Sequence, residues 1–280
     1  MSTPAPLPDI SGYAIAPQRH WGRWLAVAIL LGLLAALVRA FAGGMIEWRF
    51  VGTFLTAPAI LTGIMNTIVM TIAAMALGIV LGVTTATMRM SPNPVLRGGA
   101  MAYVWLFRGT PVILQLLLWF NLALIFPRLG ITGVWTVRTV DVMTPTVAAF
   151  LGLGINQGAY TSEVVRAGML AVDAGQYEAA KAVGMTRLLA LRRIVMPQAM
   201  RVIIPPLGNE FIGMVKLTSL ASVIQYTEIL HSAQNIYYAN SRVIELLIVA
   251  AIWYLAVISV LTPLQMLLER HFARGTAGGR

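Results

Sequence analysis

Cysteine is absent from this sequence, which excludes disulfide frameworks, thiolate metal sites and cysteine nucleophiles. Histidine is scarce: His20, His231 and His271 stand far apart and offer no ligand cluster, so no metal site is expected. No paired histidines, Ser/His arrangement or Asp cluster suggests catalytic residues. Charge is scarce as well. Asp, Glu, Lys and Arg make up 11% of the chain, against about 25% in a typical soluble domain. No water-soluble fold of this size needs so apolar a surface, so lipid must be the solvent. No Gly-x-x-x-x-Gly-Lys-Ser/Thr loop occurs, and the lone Lys216 follows Gly213-Met214-Val215. The chain therefore lacks the phosphate cradle for hydrolysing ATP by that route.

What is abundant is apolar: 58% of the residues are hydrophobic, with a mean hydropathy of +0.79. The formal net charge of +10 would suggest a nucleic-acid partner in a soluble protein. Here the basic residues fall in the gaps between apolar runs, as the positive-inside rule places them, and no nucleic-acid partner is expected. The predicted class is an all-α, polytopic helical bundle. Six spans are expected, over residues 21–42, 57–88, 100–126, 145–169, 203–224 and 243–268, each close to the roughly 20 residues a bilayer needs. The third is broken at Phe107-Arg108-Gly109-Thr110-Pro111. Its first half is expected in the interface, with the spanning helix starting at the proline.

Residues 1–20 are Pro-rich and polar and read as a disordered tail. The first apolar run is short, and Ala40-Phe41-Ala42 resembles a signal-cleavage site. The long pre-sequence and Arg39 favour a retained helix, so residues 21–56 are expected as an N-terminal helix with an outer loop. Lys and Arg set the orientation. Arg19, Arg23, Arg89, Arg97 and Arg108 share one side with Lys181, Arg187, Arg192, Arg193, Arg201, Arg270, Arg274 and Arg280. Arg49, Arg128, Arg138 and Arg242 remain opposite. Both termini are therefore expected in the cytoplasm, with residues 271–280 as a second tail.

Between spans four and five lies the only long cytoplasmic connection, residues 170–202. Gln176-Tyr177-Glu178-Ala179-Ala180-Lys181-Ala182-Val183-Gly184 has strong helix formers and stops at glycine. The stretch from Arg187 to Arg193 reads as a basic amphipathic helix that ends at Pro197. A helix-turn-helix against the membrane surface is predicted.

Here the sequence resembles a known family. Glu178-Ala179-Ala180, Gly184, Ile194 and Pro197 reproduce the loop motif of ABC importer permeases at its full spacing, with Met196 where leucine is usual. Further segments resemble the polar amino acid branch of that family: Asn66-Thr67, Leu106-Phe107-Arg108-Gly109-Thr110-Pro111 with Gln115, Gly208-Asn209-Glu210-Phe211, and Lys216-x-Thr218-Ser219-Leu220. The similarity spans roughly residues 61–270, and the extra first helix lies outside it. The resemblance implies a type I importer permease fold over residues 57–270, in a bacterial plasma (inner) membrane. The loop then holds a coupling helix that docks on a separate ATP-binding subunit, two per complex, which carries ATP and Mg. A second permease copy or paralogue and an extracytoplasmic binding protein complete the implied assembly, and this chain itself needs no cofactor.

Polar residues inside the spans point the same way independently. Asn156, Tyr160 and Glu163 share one helix face at i, i+4 and i+7, and Glu163 is spaced to pair with Arg166. Asn209 and Lys216 share a face of span five, with Glu210 beside it. A charge near the bilayer centre costs at least about 2.5–3.5 kcal/mol, so these side chains face an interior, an aqueous path or a partner. Either Asn156, Tyr160, Glu163, Asn209 and Glu210 line a substrate path, or they pair to fix the bundle. Arg108 is expected to reach lipid phosphates or to anchor the turn before Pro111. Gly78, Gly82, Gly152 and Gly154 are expected to permit close helix packing. An ion-gradient-driven secondary transporter is the alternative; it accounts for the carboxylates but not for the patterned loop.

Overall fold

The computed structural model describes residues 21–131 and 134–273. The tail expected over 1–20 and residues 274–280, with Arg274 and Arg280, lie outside the described residues. The chain divides into two compact units, residues 1–47 and 48–280. The first carries α1 (Trp21–Gly43), a 23-residue helix without a buried side chain. An apolar helix of that length is suited to lipid on all sides.

The second unit begins with α2 (Trp48–Leu55), α3 (Pro58–Arg89), α4 (Pro94–Gly109), α5 (Val112–Phe120) and α6 (Leu122–Ile125). A hairpin of β1 (Arg128–Ile131) and β2 (Trp135–Arg138) follows, then α7 (Thr139–Val142), α8 (Pro145–Leu170), α9 (Ala174–Ala182) and α10 (Arg187–Ala190). A π-helical turn (Leu191–Val195) leads into α11 (Met196–Leu217), a 3-10 segment (Thr218–Ile224), α12 (Ile229–Asn240) and α13 (Val243–Ala273).

Local chemistry starts several of these helices. Asn93 accepts from the backbone N–H of Val95 and Leu96, and Thr144 accepts from Val147. Each cap is followed by proline at the first helical position, where a missing N–H costs nothing. The hairpin pairs antiparallel, Arg128 opposite Arg138 and Ile131 opposite Trp135. Arg138 then donates two 2.8 Å hydrogen bonds to Asp141 in α7. That pairing holds the Asp141 carboxyl below its ordinary range.

α3 and α8 form the most extensive helix pair, and their closeness is a matter of small residues. A Cβ on Gly78 would lie 2.6 Å from Gln157 Cγ, and one on Gly82 2.6 Å from Thr161 Cγ2. Gly152 meets Leu116 and Gly154 meets Leu77 in the same manner, as the sequence leads one to expect. The main core gathers Met70, Met75, Leu116, Leu153, Met214 and Ile224 from α3, α5, α8, α11 and the 3-10 segment.

The all-α membrane bundle is present. Among the described residues α1, α3 and α13 are long and apolar enough to cross a membrane. A fourth is added if α4 and α5, bent 102° at their junction, are taken as one broken span. The break falls at the expected proline, yet α5 is only 9 residues long, too short to span alone. α8 has 26 residues and α11 has 22; their charged and amide side chains lower their hydropathy.

Three boundaries differ as well. The second loop helix does not end at Pro197: the π turn runs into α11 without interruption, and Pro197 occupies the first turn, where no intrahelical N–H is needed. Span five therefore starts at Met196 rather than 203 and finishes as a 3-10 segment. Helix α13 continues past 268 to Ala273, so the first residues of the expected C-terminal tail are helical. The hairpin and α12 have no counterpart in the sequence expectations, because neither contains a long apolar run.

Candidate transport path and coupling segment

The candidate coupling segment is built from its caps inward. Asp173 accepts from Gly175 N at 2.7 Å and starts α9. At the other end Gly184 N donates to Lys181 O and Met185 N to Ala180 O, both at 3.0 Å. This is a Schellman closure, and it requires the left-handed φ of +78° that Gly184 adopts. Thr186 then caps α10. Glu178, Ala179, Lys181 and Ala182 are exposed, whereas Ala180 is buried within the chain. The alanine pair thus splits, one facing outward and one inward. Ile194 lies in the π turn and Pro197 in the first turn of α11. The motif therefore runs from α9 across the Gly184 turn and through α10 and the π turn into α11.

On α11, Glu210 stands opposite α8. Its Oε2 accepts from Gln157 Nε2 at 2.7 Å and Thr161 Oγ1 at 3.1 Å. Its Oε1 accepts from no side chain among the described residues. Gln157 and Thr161 are the residues pressed by Gly78 and Gly82, so the packing of α3 on α8 sets the donors that hold this carboxylate. Sequence reasoning passed over both, because neutral polar residues stand out little in an apolar run. Their four-residue spacing on one helix face was the available signal.

Asn156, though on the expected helix, is only 2% exposed. Its Nδ2 donates to Phe107 O at 2.8 Å and Gln115 Oε1 at 3.2 Å. Gln115 Nε2 donates in turn to Phe107 O, Thr110 O and Thr110 Oγ1. These amides satisfy the carbonyls freed where α4 breaks from α5, as a non-helical turn in a bilayer demands. Asn156 is therefore buried and braces the break.

Glu163 gathers three guanidinium groups. Arg89 Nη1 approaches Oε1 at 2.7 Å, Arg108 Nη1 the same oxygen at 3.3 Å, and Arg166 Nη2 binds Oε2 at 3.0 Å. Arg108 also lies 5.1 Å over the Tyr160 ring. Arg108 thus turns toward Glu163 rather than outward to lipid phosphates, since a carboxylate in a partly dry site is the stronger attractor. Tyr160 and Glu163 do share a face, as expected. Asn209 and Lys216 are exposed on α11, and Asn209 Nδ2 donates to Pro205 O. Lys216 forms no ion pair among the described residues.

Asn66 and Thr67, in α3, tie the start of α12 to the bundle. Asn66 Nδ2 donates to Thr227 O at 2.7 Å, and Thr67 Oγ1 accepts from Ile229 N at 3.3 Å. Glu228, which sequence reasoning did not single out, is fully buried and caps α12 through the N–H groups of Leu230 and His231. It also accepts the Tyr254 hydroxyl.

Residues 78–274 match the family described as binding-protein-dependent transport system inner membrane component. The chain belongs to this family. It is 41% identical over 263 residues to the arginine transport system permease protein of Corynebacterium glutamicum, covering 93% of this chain and 83% of that one. With the nopaline transport system permease protein of Agrobacterium fabrum it shares 37% identity over 213 residues, 76% of this chain and 87% of the other. In three dimensions it resembles an amino acid ABC transporter crystallised with histidines, with a TM-score of 0.71 and 32% identity over 81% of this chain and all of that one. The permease is thus a multi-pass inner-membrane subunit of an ABC importer. It is a transport component rather than an enzyme, and the ATPase is a separate subunit. Nothing in its relatives favours the ion-gradient alternative.

Proposed function

We propose that this permease passes a polar amino acid through the bundle by alternating access, with α9 as the lever gripped by the ATP-binding subunit. Two ATPase copies bind ATP and Mg, and they engage a pair of permeases, either two copies of this chain or this chain and a paralogue. An extracytoplasmic binding protein delivers the cargo, and both termini lie in the cytoplasm. The observation that carries this reading is the short path from the capped α9–Gly184 turn to α10, which runs on through the π turn into α11. Only residues 183–186 separate α9 from α10, and hydrogen bonds at Gly184, Met185 and Thr186 close that turn.

The cargo class rests on the relatives' names and on the chemistry around Glu210. An ammonium or guanidinium group fits Glu210 Oε1, and the excess positive charge around Glu163 suits a carboxylate. Tyr160 and Asn209 are exposed beside these groups, whereas Asn156 acts through the α4–α5 break.

Because the chain has no cysteine, the single substitution Ala179→Cys gives thiol crosslinking without background from this subunit. Crosslinks to the ATP-binding subunit are expected in membranes, together with ATP-dependent uptake of an amino acid that survives an uncoupler. Failure of the Ala179→Cys variant to reach any ATP-binding polypeptide overturns the coupling role.

A further inference from the structure

Where the π turn and the start of α11 meet the end of α13, a cleft of about 470 Å³ opens. Arg192, Met196 and Met200 recur every four residues along one side of it, with Arg201 on the next ridge. His271 and Phe272 close it from α13. Its lining contains three basic side chains and no acidic one. Neither Arg192 nor Arg201 forms an ion pair among the described residues, and both are exposed. Glu269, on the same stretch of α13, accepts instead from Gln265 at 2.9 Å.

Two features distinguish this cleft from a merely solvated basic face. The first is its mixed lining: Met196, Met200 and Phe272 border the same cleft as Arg192 and Arg201. A free inorganic anion gains nothing from the apolar part of such a lining, whereas an amphiphile gains from both halves. The second is position. The cleft lies where α11 begins and α13 ends, on the side that the orientation proposed above makes cytoplasmic. Basic pockets between helices on the cytoplasmic side suit anionic headgroups, and arginine's planar fork matches a phosphate.

We infer that this cleft holds the headgroup of an anionic phospholipid, with Arg192 and Arg201 on the phosphodiester and Met196, Met200 and Phe272 receiving the glycerol and first methylenes. The lipid then sits on the π turn that joins the coupling segment to α11, and its presence stiffens that joint. This last consequence rests on the coupling role proposed above; the binding itself does not.

The test uses the full importer, purified with its ATP-binding subunit and placed in phosphatidylcholine nanodiscs containing phosphatidylglycerol. Lipid that stays with the complex is counted by native mass spectrometry. Wild type retains phosphatidylglycerol, and R192Q/R201Q retains several-fold less. R187Q/R193Q removes the same charge from exposed positions outside the cleft and behaves as wild type. F272A keeps every charge and still lowers retention, so the result does not depend on assembly of the double variant. Millimolar inorganic phosphate leaves retention unchanged.

Equal retention by R192Q/R201Q or F272A and wild type overturns the site. Equal loss in R187Q/R193Q overturns it in favour of diffuse attraction, and displacement by inorganic phosphate overturns it in favour of a free-anion site. Crosslinking of the Ala179→Cys variant reads the coupling role separately, so failure of one is distinguishable from failure of the other.

Discussion

Arg89, at the end of α3, and Glu163, in the C-terminal half of α8, meet at 2.7 Å across 74 residues of chain. With Arg108 from α4 and Arg166 from α8 itself, they make one carboxylate the common partner of three helices. Removing the carboxylate leaves three cations facing each other in a partly dry site. Glu163→Gln is therefore expected to lower stability by about 1–2 kcal/mol, a value reduced from that of a fully buried pair because the site is partly solvated. Arg108→Gln, which removes an excess cation with a 42% exposed side chain, is expected to cost less. Thermal unfolding of the purified complex ranks the two, and the reverse order contradicts the assignment of Glu163 as the common partner.

The α3–α8 contact leads to a second expectation. A methyl on Gly82 meets Thr161 and lies 3.0 Å from the Ser162 backbone nitrogen, which cannot turn aside. Gly82→Ala is expected to cost about 1–3 kcal/mol as overpacking and to reduce uptake by displacing Thr161 from Glu210. Gly98→Ala has nothing within 4 Å of the added carbon and serves as the neutral comparison. Expression level, melting temperature and uptake of the two variants decide the matter.

Glu210→Gln keeps an oxygen for the Gln157 and Thr161 donors and removes only the charge. The fold should stand, while recognition of a cationic group weakens by the worth of a charge-assisted hydrogen bond, about 1.5–3 kcal/mol. That corresponds to roughly 10- to 100-fold in cargo affinity. Uptake measured over a range of cargo concentrations, alongside basal ATP hydrolysis, reads this directly. Unchanged uptake removes Glu210 from the path.

Gly184 gives a fourth. A side chain there has open space, so the cost is conformational and not steric. At φ +78°, Gly184→Val is expected to strain the turn by about 1–2 kcal/mol or more, whereas Gly184→Asn tolerates the left-handed region. Uptake should fall in the valine variant and persist in the asparagine variant, with similar amounts of protein in the membrane. Equal uptake by both dissociates the turn from coupling.

Much of this was legible in one dimension because it depends on local rules. The break at Phe107–Pro111, the glycine stop at Gly184 and the small residues of α3 and α8 each follow from backbone chemistry or side-chain size. The partners of Glu163 were not legible: its own helix shows Arg166, but Arg89 and Arg108 arrive from elsewhere in the chain. Helical spacing left Asn156 open between a path and a structural role, since periodicity gives a face without saying what covers it; its contacts with Phe107 and Gln115 came only from packing.

The amino-acid order by itself determined that lipid is the solvent, that the chain lacks a nucleotide-binding loop, and that a patterned segment precedes the fifth span. Composition and short-range spacing suffice for those conclusions. Only the tertiary structure decided that one Glu210 oxygen has no side-chain donor among the described residues, that Glu163 binds three arginines, and that α10 runs through the π turn into α11 without a break. Those facts depend on which helix faces meet, and that is set by packing between residues far apart in the chain.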